Sequence, residues 1–113
     1  MASFNPGDLV VFLSPDIQGP KRRPAVVIST HEYHAKRPDA ILGLLTSQTD
    51  RAVGSTDTIL QDWQQTGLRK PSLFRAFLTT RPRSELTLIG HLSERDWLAV
   101  QACLRDAVDS GTP

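Results

Sequence analysis

Apolar residues fall along this chain in short runs separated by turn-forming segments, the pattern of a protein built mostly of strands. Leu9 to Leu13 follows the turn-prone Asn5-Pro6-Gly7-Asp8 and predicts a first strand. Ser14-Pro15-Asp16-Ile17-Gln18-Gly19-Pro20 carries two prolines and a glycine and predicts a loop. The β-branched run from Pro24 to Ser29 predicts a second strand, and the polar stretch from Thr30 to Asp39, with Pro38 inside it, a connecting loop. Ala40 to Leu45 is apolar throughout, as in a strand buried on both faces, and ends at Thr46-Ser47. Gln48 to Thr56 predicts a loop, and Thr58-Ile59-Leu60 a short strand leading into Trp63. Ser72 to Leu78 predicts a further strand followed by a basic turn containing Pro82, and Leu86 to Leu92 the last strand.

The period changes only near the end. Trp97, Val100, Leu104 and Val108 recur at helical spacing. Ser93 can cap this helix, with Asp96 three residues on in an approximate capping box and Leu92 with Trp97 as a hydrophobic staple. Asp109 to Pro113 should stop the helix and fray. Short strands, tight loops and one packed C-terminal helix predict a mainly β fold, a small barrel with an appended helix, as a single domain over residues 1–113.

Composition changes this picture little: 113 residues, 39% apolar and 22% charged, suit one soluble core. No apolar run approaches bilayer length and the first residues lack a signal peptide's features, which predicts a cytoplasmic protein without a membrane partner. A net charge of +1 does not announce a nucleic-acid binder, but its distribution is uneven. Arg69, Lys70, Arg75, Arg81 and Arg83 occur with no acid among them, and Lys21-Arg22-Arg23 form a second basic knot. From Glu85 onward acids outnumber bases, which fits one basic surface with an acidic back and, on charge alone, equally a solvated surface of mixed charge.

Candidate chemistry lies in three places. Pro24 holds Arg23 to an extended backbone and so fixes where its guanidinium, a planar fork suited to phosphate, leaves the chain. Thr46-Ser47-Gln48 sets three hydrogen-bonding side chains at the exit of a rigid strand. Taken alone, the first also reads as an exposed basic turn and the second as a strand end satisfying its own loop. His31 and His34 would share a face only on a helix, and a metal site would need a third ligand, for which Glu32 beside them is a poor candidate; His91 reads as a structural histidine. Cys103, the sole cysteine, lies on the flank of the helix's apolar face and reads as packing, with no disulfide available to it within the chain.

Together the segments resemble the MazF/PemK family of toxin ribonucleases. Pro6-Gly7-Asp8-Leu9-Val10 resembles the family's opening strand, and Lys21-Arg22-Arg23-Pro24 running into Ala25-Val26-Val27-Ile28-Ser29 its most diagnostic segment. Leu44-Leu45-Thr46-Ser47-Gln48 is similar to the strand ending in Thr-Ser. Asp62-Trp63, Gly67 to Ser72 and Arg75 resemble the later signature, and Ile89-Gly90-His91-Leu92-Ser93 the lead-in to the last helix. The loop Leu13 to Gln18 and the stretch Ala76 to Arg81 depart from the family's pattern.

The resemblance implies an SH3-like barrel and a homodimer with an RNA groove at its interface. It also implies a cognate antitoxin whose disordered tail fills that groove. Carried over, the catalytic pair falls on Arg23 and Thr46, with Lys21, Arg22, Ser47, Gln48, Arg69, Lys70 and Arg75 binding RNA. The implied reaction needs neither metal nor cofactor: it cuts single-stranded RNA to leave 2′,3′-cyclic phosphate and 5′-hydroxyl ends. The rival readings are a CcdB-like poison of DNA gyrase and a non-catalytic binding barrel. Leu73, Phe74 and Phe77 are expected to help bury the dimer contact.

Overall fold

A computed structural model describes residues 3–52 and 54–108. The strands are β1 (Asp8–Ser14), β2 (Lys21–Val27), β3 (Asp39–Thr46), β4 (Asp57–Ile59), β5 (Leu73–Pro82) and β6 (Thr87–His91); the helices are α1 (His31–Lys36) and α2 (Glu94–Val108). The strands form one antiparallel six-stranded sheet in the order β4-β5-β3-β2-β1-β6.

Side chains of successive strand residues point to opposite faces, and here each face carries a buried core. Leu9, Val26, Leu45 and Phe74 pack on one side beneath Val100 and Cys103 of α2. Val10, Ala25, Val27 and Leu42 pack on the other with Phe4 and Leu86. That second core is enclosed because the sheet curls. Arg81 on β5 donates from Nη2 to the Leu13 carbonyl on β1 at 3.1 Å, although β3 and β2 stand between those strands in the sheet. Its guanidinium also lies 5.1 Å from the Phe12 ring centroid. A sheet whose first and fifth strands meet across its concave face is a small barrel, as expected from the sequence.

Gly43 is required where β3 crosses Phe74. A Cβ there would sit 2.3 Å from Phe74 Cε1, inside a fully buried ring. Gly43→Ala is expected to destabilise the fold by about 1–3 kcal/mol through overpacking. Urea denaturation should show a lower midpoint with an unchanged slope.

Several boundaries differ from the sequence reading. β2 begins at Lys21 rather than Pro24, because Lys21, Arg22 and Arg23 pair with Ser14, Leu13 and Phe12 in a hairpin. Gly19, at φ 108°, supplies the turn's left-handed residue. The segment from Thr30 to Asp39 holds a helix, α1, where a loop was expected. Thr30 caps it by accepting from Tyr33 N, Glu32 lies in its first turn, and it closes before Pro38. α1 buries none of its residues, so no apolar stripe betrayed it. β5 runs on through Pro82, opposite Asp39, and the turn expected there is the 3₁₀ turn Arg83–Glu85.

In α2, Val108 is exposed and the buried apolar residues are Val100 and Cys103, flanked by Trp97 and Leu104, with Asp96 buried beside them. Leu92 and Trp97 pack in the same cluster, as a staple would. Half the capping box forms, Asp96 N donating to Ser93 Oγ at 3.3 Å, but the Asp96 carboxylate points elsewhere. Leu73 and Phe74 are fully buried in the chain's own core and are unavailable to a partner; Phe77 is 60% exposed. Residues 109–113 lie outside those described. No helix among the described residues is long and apolar enough to cross a membrane.

Candidate active site

Strand register brings Arg23 and Thr46 together. β2 and β3 pair antiparallel with Ala25 opposite Leu44. Two residues further along, the same register sets Arg23 against Thr46. Alternation then puts both side chains on one face, that of Ala25, Val27, Leu42 and Leu44. Pro24 follows Arg23 and lacks an N–H, so the ladder stops here and the strands leave room between them.

The room is a cavity of about 280 Å³. Lys21, Arg22 and Arg23 line it from β2, Thr46 and Ser47 from the end of β3, and Arg69 and Lys70 from the loop before β5. No carboxylate lines it, and none of its five cationic side chains is in an ion pair among the described residues. Cations gathered without a counterion raise the local positive potential and invite an anion. Thr46 Oγ1 accepts from Gln48 N at 3.2 Å, which fixes the hydroxyl and leaves its proton to donate.

The Arg69-Lys70 loop is anchored from behind by α2. Asp96, 2% exposed, accepts from Gln61 N at 2.9 Å and from Asp62 N at 2.8 Å. Asp62 in turn receives Ser93 Oγ at 2.6 Å and two bonds from Arg95, at 2.8 and 2.7 Å. Further along the loop, buried Thr66 donates to Trp63 O and accepts from Leu68 N, and buried Ser72 donates to Lys70 O at 3.0 Å.

The bonds from Arg95 and Ser93 hold the Asp62 carboxyl down to about 2, from an ordinary 3.8. A carboxyl depressed by folding contributes stability above its unfolded value and loses it as pH falls through the folded one. This contribution is therefore fully present above about pH 4 and is lost as pH falls towards 2. Arg95→Ala should return the Asp62 titration towards the ordinary carboxylate range, read by carboxyl NMR, and shift acid unfolding to higher pH.

Of the residues singled out from sequence, Lys21, Arg22, Arg23, Thr46, Ser47, Arg69 and Lys70 meet in this cavity. Two do not. Gln48 is exposed at the head of the 3₁₀ turn Thr49–Arg51, and Arg75 is exposed on β5 opposite Asp57. Asp96 was not recognised as an anchor; its only signal was an acid on the buried side of a helix.

The histidines serve structure. His91 Nδ1 lies 2.7 Å from Asp8 Oδ1, and Asp8 also accepts from Asn5 N at 2.8 Å. His31 and His34 do lie on a helix, but they bond to Asn5 and to Ser29 respectively. Burial, then the nearby charge of Arg83, lowers the His34 imidazole below its ordinary value. No group of three His, Cys, Asp or Glu among the described residues could hold a metal ion. Cys103 is buried, and burial, with the charges of Asp57 and Asp106, pushes its thiol up, away from the reactive thiolate.

The architecture is that of the MazF-type toxin barrels. It is similar to an endoribonuclease in complex with its cognate antitoxin from a Mycobacterial species, with a TM-score of 0.76 and 18% identity over 98% of this chain and 100% of that one. The MazE-MazF complex from Deinococcus radiodurans gives a TM-score of 0.73 at 20% identity, over 94% and 96% of the two chains. The Mycobacterium tuberculosis toxin MazF-mt6 gives 0.67 at 18%, over 88% and 95%. At such identities the likeness is one of fold. Sequence goes further: residues 5–108 match the PemK-like, MazF-like toxin family of type II toxin-antitoxin systems, and the chain belongs to that family. No curated protein sequence matches it.

Proposed function

We propose that this toxin is an endoribonuclease that cleaves single-stranded RNA by attack of the RNA's own 2′-hydroxyl on the adjacent phosphate. The observation that carries this reading is the meeting of Arg23 and Thr46 in a cavity lined by five cations and no carboxylate. Attack builds negative charge on the equatorial phosphate oxygens. The Arg23 fork, which leaves a backbone restricted by Pro24, and the Thr46 hydroxyl, fixed by its bond from Gln48 N, stabilise that charge. Lys21, Arg22, Arg69 and Lys70 grip the flanking phosphates, and Ser47 lies beside the scissile bond. RNA supplies its nucleophile, so no metal-bound hydroxide is needed.

An arginine is a poor acceptor for the 2′-hydroxyl proton. No histidine or carboxylate lines the cavity, so the 2′-hydroxyl proton passes to solvent as the 2′-oxygen bonds to phosphorus. The P–O5′ bond breaks and the departing 5′-oxygen takes a proton from solvent. The rate should climb with pH through neutrality without a histidine-like plateau.

One of the similar structures described above is an endoribonuclease with its cognate antitoxin, and another is a MazE-MazF complex. In this reading a cognate antitoxin is a partner here too, and the cations of the cavity are the surface it covers. Exposed Phe77 suits a homodimer contact, which light scattering tests, and an RNA substrate places the toxin in the cytoplasm.

The test is incubation with a long unstructured RNA in excess EDTA, followed by mapping of the new ends. Discrete cuts leaving 5′-hydroxyl ends are expected. Absence of cuts by folded protein overturns the reading and turns attention to gyrase or to an inert barrel. Binding should also weaken steeply with salt, log Kd shifting by about 0.7 per decade for each phosphate contacted. A flat salt response counts against the cationic cavity as the RNA site.

A further inference from the structure

A second and larger cavity, of about 680 Å³, lies at the opposite end of β3 from Thr46, between the end of α1 and the turn after β5. We infer that it is a nucleotide subsite for the same RNA strand, outside the cut site. The inference rests on the ribonuclease reading and extends it.

The lining suits one nucleotide unit. Pro38, Pro82 and Leu86 give it apolar walls, while Lys36, Arg37 and Arg83 bring three cations and no carboxylate lines it. Single-stranded RNA is held by this pairing, apolar or guanidinium surface for unstacked bases and cations for the backbone. Arg83 is fixed by Nη1, which donates to the carbonyls of Arg37 and Asp39; its remaining N–H groups have no partner in this cavity among the described residues. Arg37 stacks on Tyr33, its guanidinium 5.7 Å from the ring centroid. Lys36 has only an exposed 3.7 Å pair with Glu32, which an arriving phosphate can replace.

Continuity with the cut site favours RNA over a protein partner. A third depression, of about 260 Å³, has lining residues that tie it to both. It shares Arg22 with the first and contains Glu85, whose neighbours Ser84 and Leu86 line the second. Arg81, 3.9 Å from Glu85, offsets the one acid on this path. The length of β3 sets the separation at roughly 23 Å, a span of several nucleotides.

The test uses two RNAs made uncleavable by a 2′-deoxy sugar at a mapped cut position, one just spanning that position and one extended on both sides. Binding is measured by fluorescence anisotropy for wild type and for the double variant Lys36→Glu, Arg37→Glu, whose fold is checked by circular dichroism. For the extended RNA, the variant's Kd should rise about tenfold or more and the salt slope should fall by about 1–2. For the short RNA, Kd should not change. Equal effects on both RNAs, or none on the extended one, overturn the inference while leaving the ribonuclease reading intact. Loss of antitoxin binding with RNA binding unchanged overturns it too and reassigns the cavity to a protein partner. A wild type that binds neither RNA overturns both readings.

Discussion

Replacing Arg23 by alanine is expected to slow RNA cleavage by about a hundred- to a thousandfold, the usual cost of removing one preorganised donor from a developing oxyanion. The structure also says what the change should leave alone. Arg23 is half-buried at the cavity's edge and has no hydrogen-bonding or ion-pair partner among the described residues, so the fold does not depend on its side chain. Thermal unfolding of Arg23→Ala should match wild type within about 0.5 kcal/mol, as for surface substitutions free of structural roles. Arg23→Lys should fall between the two, because an ammonium keeps the charge and loses the planar fork. Single-turnover kinetics at saturating RNA separate this loss from weaker binding. A variant with near-native single-turnover rate would remove Arg23 from the chemistry and leave it a surface cation.

The largest loss of stability is expected at Asp96. Its carboxylate is almost fully buried and accepts two backbone N–H groups from Gln61 and Asp62. Asp96→Ala leaves both donors without their acceptor. Hydrogen bonds to a charged group contribute roughly 1.5–3 kcal/mol each and are not additive, so about 3 kcal/mol is expected in sum. For a chain of this length that lowers Tm by roughly 10–15 °C. Because these bonds anchor the loop carrying Arg69 and Lys70, RNA affinity should fall as well, even at temperatures where the variant is folded. A melt shifted by only a degree or two would mean that the loop is held chiefly by its own bonds at Thr66 and Ser72.

The strands were legible in sequence because each is a β-branched or leucine-rich run bounded by glycine, proline or polar residues, as at Leu9 to Leu13 and Ala40 to Leu45. α1 was hidden because six residues with no buried face leave no periodicity to read; only Thr30 and Glu32 hinted at a start. The early beginning of β2 was hidden for a related reason. Lys21 and Arg22 join the strand through backbone pairing with β1, to which their side chains are irrelevant. Arg23 and Thr46 were singled out by resemblance, but their meeting depends on a register that neither segment displays alone. Leu73 and Phe74 misled for the opposite reason. They read as spare apolar surface, whereas Phe74 is buried in the core beneath α2 and Leu73 is fully buried beside it in the chain.

The first strand is held on one edge by its hairpin neighbour β2 and on the other by β6, with Asp8 and His91 facing each other 83 positions apart. During synthesis at about 5–20 residues per second, β1 therefore waits roughly 4–16 s for its second neighbour. Until then it offers an unpaired edge, on which strands of adjacent nascent chains can assemble. The hairpin bearing Arg23 is supported from one side only over the same interval. Protection from edge-to-edge aggregation should thus be acquired when the sixth strand docks, and the cationic cavity completed only afterwards, when α2 packs behind the loop that carries Arg69 and Lys70.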